Sequence, residues 1–186
     1  MGRFEFFPTL LPGLLVIQRR RIEDSRGFLS RFYCADDFAA AGLDKALSQI
    51  NVTLTRTKGA VRGLHFQRPP HAEGKIVSCL GGEVFDVAVD VRCHSSTFLR
   101  WHAEILSSAN ERALLIPEGF AHGFQALTDD CELLYLHTAA YAPAAEGALH
   151  VSDPRLAIRW PLPIAELSDR DRMHPLMDAS FQGLTL

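Results

Sequence analysis

Eight consecutive residues, Phe85-Asp86-Val87-Ala88-Val89-Asp90-Val91-Arg92, alternate without a break. Phe85, Val87, Val89 and Val91 fall on one face, and Asp86 and Asp90 on the other. A period of two is the side-chain repeat of a β-strand and does not fit the 3.6-residue repeat of an amphipathic helix. Shorter runs of the same character follow at Ile76 to Leu80, Leu114 to Ile116, Leu133 to Thr138 and Ala157 to Trp160. Gly81-Gly82, Pro117-Glu118-Gly119 and Asp129-Asp130 punctuate them as turns. Many short strands at close spacing predict an antiparallel sandwich or barrel. Helical signals are few: one short helix over Asp36 to Ala41, and a second opened by Ser168 as N-cap of Ser168-Asp169-Arg170-Asp171. A length of 186 residues suits a single domain, 1–186, with a sizeable core.

Charge and motifs remove several function classes. Nineteen Lys and Arg against 22 Asp and Glu leave a net charge of −3, which gives no general electrostatic reason to bind nucleic acid or an anionic membrane. No apolar run reaches the length of a membrane-spanning helix. The apolar stretch Leu10 to Ile17 contains Pro12 and Gly13 and precedes Arg19-Arg20-Arg21, the reverse of a secretory signal. The arginine run itself is expected at a solvated strand edge or turn. Cys34, Cys79, Cys93 and Cys131 form no C-x-x-C pair and are expected as reduced, mostly buried thiols of a cytoplasmic protein. No G-x-G-x-x-G or P-loop follows a strand, so neither a dinucleotide fold nor an NTPase is indicated.

Four groups of residues can carry chemistry. In Arg62-Gly63-Leu64-His65-Phe66-Gln67 an extended backbone puts His65 and Gln67 on one face, with Lys75 just beyond Pro69-Pro70. A histidine beside a lysine can act as a base next to an electrophilic stabiliser. Pro117-Glu118-Gly119-Phe120-Ala121-His122 has the P-x-G-x-x-H spacing that resembles the second half of the cupin signature. The first half would need H-x-H; here it is His65-Phe66-Gln67, and Lys75 follows Glu73, so no metal is expected. In Leu133-Leu134-Tyr135-Leu136-His137 the alternation places Tyr135 and His137 together, and a tyrosine facing a closed cavity can donate a proton. Taken locally, a tyrosine packed in the barrel with its hydroxyl on backbone is the better reading of that pattern. Asp171 fits either the acid of a capping box begun by Ser168 or a carboxylate orienting a histidine. Asp86 and Asp90 are expected on a solvated or barrel-lining strand face.

Together these segments resemble the dTDP-4-dehydrorhamnose 3,5-epimerase family, from about residue 20 to residue 175. The resemblance runs through Asp24-Ser25-Arg26-Gly27-Phe28, Gln49-Ile50-Asn51, Val61 to Gln67, Lys75 and Val84 to Arg92. It continues with Ile116 to Phe124, Tyr135, Tyr141 to Glu146, Ser152-Asp153-Pro154 and Leu167 to Asp171. It implies an all-β, cupin-like antiparallel jelly-roll barrel with a few short helices. It also implies epimerisation of a dTDP-4-keto-6-deoxyhexose at C3, C5 or both, without a cofactor. By resemblance His65 is the base, Asp171 its partner, Tyr135 the proton donor on the other face of the sugar, and Lys75 the cation near O4. Arg62 and Arg26 match pyrophosphate ligands, Tyr141 an aromatic stacking on thymine, and Gln49, Asn51, His122, Glu146 and Arg170 further binding positions. Arg26 is implied to reach a neighbouring subunit's site, hence a homodimer. Arg31 stands where the family usually has glutamate. Competing readings are a monofunctional C3- or C5-epimerase, a metal-dependent cupin and a non-catalytic sugar-nucleotide binder.

Overall fold

A computed structural model describes residues 2–186. Its elements in chain order are β1 (Phe4–Pro8), β2 (Leu15–Arg19), β3 (Ile22–Asp24), β4 (Gly27–Leu29), α1 (Ala35–Ala40), β5 (Gln49–Thr55), β6 (Val61–Gln67) and β7 (Lys75–Gly81). There follow β8 (Glu83–Asp90), β9 (Trp101–Ser107), β10 (Arg112–Ile116), β11 (Phe120–Ala126), β12 (Cys131–His137), β13 (Glu146–Ala148) and α2 (Asp169–Arg172). One sheet has the order β1-β2-β10-β7-β12-β5, and the facing sheet β13-β6-β11-β8-β9. Every pair within them is antiparallel, and neighbours remote in sequence make this a cupin-like jelly roll. The third, two-stranded sheet is the hairpin β3-β4.

The strand that anchors the sequence argument, β8, is buried on both faces. Val84 and Ala88 point between the sheets, against Val77, Leu114, Leu133 and Phe124. Val87, Val89 and Val91 point outward, where they pack on Leu149, Val151, Leu156 and Leu184 of the C-terminal segment. The carboxylates of Asp86 and Asp90 are therefore fully buried on the inner side, which is the barrel-lining one of the two faces expected and not the solvated one. Each is matched: Asp90 accepts from Arg92, Ser95 and Thr97, and Asp86 faces His122. Buried carboxylates without such partners are costly.

Two expectations fail for physical reasons. Residues 157–160 do not form a strand; Ala157 has φ 49°, and the Trp160 indole N–H is spent on Val151 O at 2.9 Å. Arg19 is not on a solvated edge. It is 3 % exposed, donates to Glu111 and Ser78, and lies over the Phe32 ring, so the arginine run splits into one buried and two outer residues. The helices fall where capping and composition put them. Phe38 of α1 fills the outer face of the six-stranded sheet beside Phe4 and Phe6, and the Ser168 hydroxyl accepts from Asp171 N at 3.1 Å to start α2. The four cysteines are free, Cys79 and Cys131 buried and the others half-buried.

One glycine fixes the floor of the functional cleft. Gly63 sits at φ 119°, and a Cβ there would lie 2.6 Å from Gly123 Cα. Only a missing side chain at both positions lets β6 and β11 approach this closely. The register slips by a bulge between His122 and Phe124, which leaves His122 directly opposite His65.

Candidate active site

A cleft of about 800 Å³ opens between the sheets. The five-stranded sheet contributes His65 and His122, the six-stranded sheet Asn51, Lys75, Tyr135 and His137. The α2 end adds Arg170 and Asp171.

On one wall His65 Nε2 lies 2.8 Å from Asp171 Oδ1. Asp171 is 3 % exposed, and its second oxygen accepts from Gly63 N at 3.4 Å. Burial pushes its carboxyl up, but the hydrogen bond and charge of His65, with Gly63 and Ser168, hold it below the usual range overall. Asp171 thus takes one of the two roles the sequence left open: its carboxylate turns inward onto His65 and Gly63 N, and the Ser168 cap is made to its amide N–H, with no reciprocal capping-box bond from that carboxylate. Arg170 Nη2 comes within 3.3 Å of the same His65 nitrogen. Nε2 cannot donate to Asp171 and accept from Arg170 at once. The shorter contact, between groups of opposite charge once the imidazole is protonated, takes it, which leaves Nδ1 as the nitrogen turned from Asp171. Arg170 also donates to Glu146 at 3.1 Å, and Glu146 accepts from the Tyr141 hydroxyl at 2.9 Å.

On the facing wall the Tyr135 ring lies edge-on to His122 and parallel to His137, each at 5.9 Å between centroids. Burial, with the Asp86 carboxylate as second cause, pushes its phenol well above the ordinary tyrosine range, so it keeps its proton. His122 is held by both oxygens of Asp86, at 2.9 and 3.0 Å. Lys75, 5 % exposed, pairs with Glu73 at 2.7 Å, and the other Glu73 oxygen lies 2.9 Å from His137 Nδ1.

The other anticipated positions divide. Arg62, Asn51, Tyr141 and Glu146 line the cleft. Gln49 does not; its side-chain carbonyl accepts from Tyr141 N at 3.0 Å and so fixes the aromatic. Arg26 stands on the tip of the β3-β4 hairpin, its side chain 87 % exposed and paired with Asp24, away from the cleft of its own chain. Arg31 is exposed and also lies outside that cleft.

Three contributors escaped the sequence argument: Asp86 behind His122, the Glu73–His137 bridge, and His174, whose ring lies 6.5 Å from that of His65. The first two were legible only as strand alternation, without their cross-sheet partners. His174, in a loop beyond α2, has no local pattern. Among the described residues, His65, Asp171 and His174 have donor atoms within 4.8 Å of one another, close enough for a cation. The Arg170 guanidinium already occupies that approach. At the cupin-type position Gln67 donates to His71 O and Ala140 O, and the Glu73 carboxylate is taken by Lys75. That set does not fit a divalent ion.

Comparison with known proteins agrees with this geometry. A family model described as dTDP-4-dehydrorhamnose 3,5-epimerase matches residues 8–179. The dTDP-4-dehydrorhamnose 3,5-epimerase of Salmonella typhimurium is 42% identical over 172 residues, 91% of this chain and 93% of that protein. The dTDP-4-dehydrorhamnose 3-epimerase of Streptomyces niveus is 39% identical over 166 residues, 89% of this chain and 80% of that one. The crystal structure of a dTDP-6-deoxy-D-glucose-3,5-epimerase from Legionella pneumophila in complex with dTDP-4-keto-L-rhamnose superposes with a TM-score of 0.91 at 38% identity. It covers 98% of this chain and 99% of that one.

Proposed function

The chain belongs to the dTDP-4-dehydrorhamnose 3,5-epimerase family, and from that premise we propose the following chemistry for its cleft. The protein is an epimerase of dTDP-4-keto-6-deoxyhexoses. In such a sugar C3 and C5 both flank the 4-ketone, and their hydrogens are acidic only while the enolate is stabilised. His65, through Nδ1, removes the proton, and Asp171 fixes the tautomer and supports the imidazolium that forms. The electron pair moves onto O4, where the Lys75 ammonium receives the charge. Tyr135 returns a proton to the same carbon from the opposite face and recovers one from solvent, while the His65 imidazolium releases to solvent the proton it took. No electrons leave the substrate, so no redox cofactor is called for.

The single observation supporting these roles is that the His65–Asp171 pair and Tyr135 stand on opposing sheets around one cleft. Inversion needs removal on one face and return on the other, and one fixed base cannot do both. Arg62 binds the pyrophosphate by its planar fork. Tyr141 stacks on thymine, and Gln49, Asn51, His122, Glu146 and Arg170 complete the nucleotide-sugar site. A second copy supplies Arg26 as a further phosphate ligand in a homodimer. In support, β5 exposes Ile50 and Val52, and the hairpin exposes Ile22, Phe28 and Leu29.

The test is incubation with dTDP-4-keto-6-deoxyglucose in heavy water. Deuterium at C3 and C5 is expected; label at one carbon identifies the monofunctional reaction, the activity printed for the relative from Streptomyces niveus. His65→Asn is expected to lower exchange by about 10²–10⁴-fold without loss of fold. Near-normal exchange in that variant rules out His65 as base.

A further inference from the structure

Lys75 and His137 are direct cross-strand partners of β7 and β12, both nearly buried. Two potential cations facing each other at such a position repel. Glu73 lies between them, one oxygen on each, with its own side chain only 11 % exposed. The His137 ring also lies parallel to Tyr135, at 14°. One bridge therefore ties the cation assigned to O4 to the wall that carries the proton donor.

We infer that Glu73, anchored by His137, is a positioning residue that keeps Lys75 charged and aimed at the sugar's 4-oxygen. The inference rests on the role of Lys75 given above and adds the reason that role is available. An ammonium this far from water is costly to bury unless an anion compensates it. A carboxylate on a free side chain would compensate Lys75 but also swing with it. The His137 N–H takes up the second oxygen and fixes where the first one points. Because that N–H draws on the same carboxylate, Glu73 is shared and does not cancel the ammonium that has to meet a developing enolate.

Two measurements test this, one of which needs no substrate. The chain has three lysines, so Lys45 and Lys58 serve as internal references for competitive acetylation read by peptide mass spectrometry. In Glu73→Gln, labelling of Lys75 relative to the other two is expected to rise about tenfold or more, since only the neutral amine reacts. In the exchange assay the same variant is expected to lose about 10²-fold in kcat with KM near wild type, because the nucleotide ligands are untouched. The amide of His137→Asn replaces the Nδ1 donor, so this variant is expected to retain exchange, while His137→Leu loses about tenfold. Unchanged Lys75 labelling in Glu73→Gln overturns the inference, as does equal loss in both His137 variants. A wild-type enzyme that exchanges no deuterium would overturn the proposed function but leave the labelling result to be judged alone.

Discussion

Glu73 carries a signature in acid that a purely local contact would not. Burial opposes its charge, but His137 and Lys75 hold its carboxyl at about 2 against an ordinary 4.5. As pH falls below 4.5 the unfolded chain takes up this proton and the folded chain does not, so native stability drops until about pH 2, where both forms are protonated. The contribution present above 4.5 is on the order of 3 kcal/mol. Glu73→Gln is expected to flatten the fall in Tm between pH 5 and pH 3 relative to wild type, measured by calorimetry. A parallel fall in both proteins would show that the bridge contributes nothing. Asp171, Asp90 and Glu111 are also held low, so only the difference between the two proteins bears on Glu73. At this scale the sequence was informative wherever one side chain's chemistry suffices. His65 and Lys75 were candidates from their own segments, whereas Tyr135 read locally as a packed ring and gained its role only through the family resemblance. Their supports did not stand out, because Asp86 meets His122 across 36 positions and Glu73 meets His137 across 64.

Elements repeat the pattern with a different cause. Alternation and short apolar runs located β7, β8, β10 and β12, but did not say which face of β8 turns inward. They said nothing of β1, β2 and β9. Segment 157–160 has the composition of a strand but turns at Ala157, where φ is 49°, and its tryptophan satisfies its N–H on Val151 instead. The close approach of β6 and β11 was equally hidden, since a glycine in a strand signals some bulge or contact but not which. Its consequence is sharp. Gly63→Ala would put a methyl group 2.6 Å from Gly123 Cα and 2.7 Å from His122 O at a φ of 119°. The substitution is expected to destabilise the fold by about 2–4 kcal/mol, because backbone on both sides must shift. It is also expected to weaken exchange in whatever fraction remains folded, since His65 and His122 share that register. Denaturant unfolding at unchanged m-value checks the first effect. A loss under 1 kcal/mol would mean that the strands separate easily and that the bulge does not set the cleft.

The whole molecule poses the question the active-site cleft leaves open, namely how Arg26 could serve a site it does not line. Its hairpin projects from the sheets, and the edge strand β5, which forms one wall of the cleft, turns Ile50 and Val52 to solvent. An unpaired apolar edge of this kind invites association. With a two-fold axis, each hairpin would reach the other chain's cleft, and the same patch would be used twice. That arrangement makes a prediction that neither variant makes alone. Arg26→Ala and His65→Asn are each expected to be nearly inactive as pure proteins. After joint unfolding and refolding, half the dimers are mixed, and one of the two sites in each pairs an intact His65 with an intact Arg26 from the other chain. The mixture is expected to recover about a quarter of the wild-type rate, well above the sum of its components. No recovery, with mixed dimers shown to form by native mass spectrometry, would place Arg26 in service of its own chain or of none.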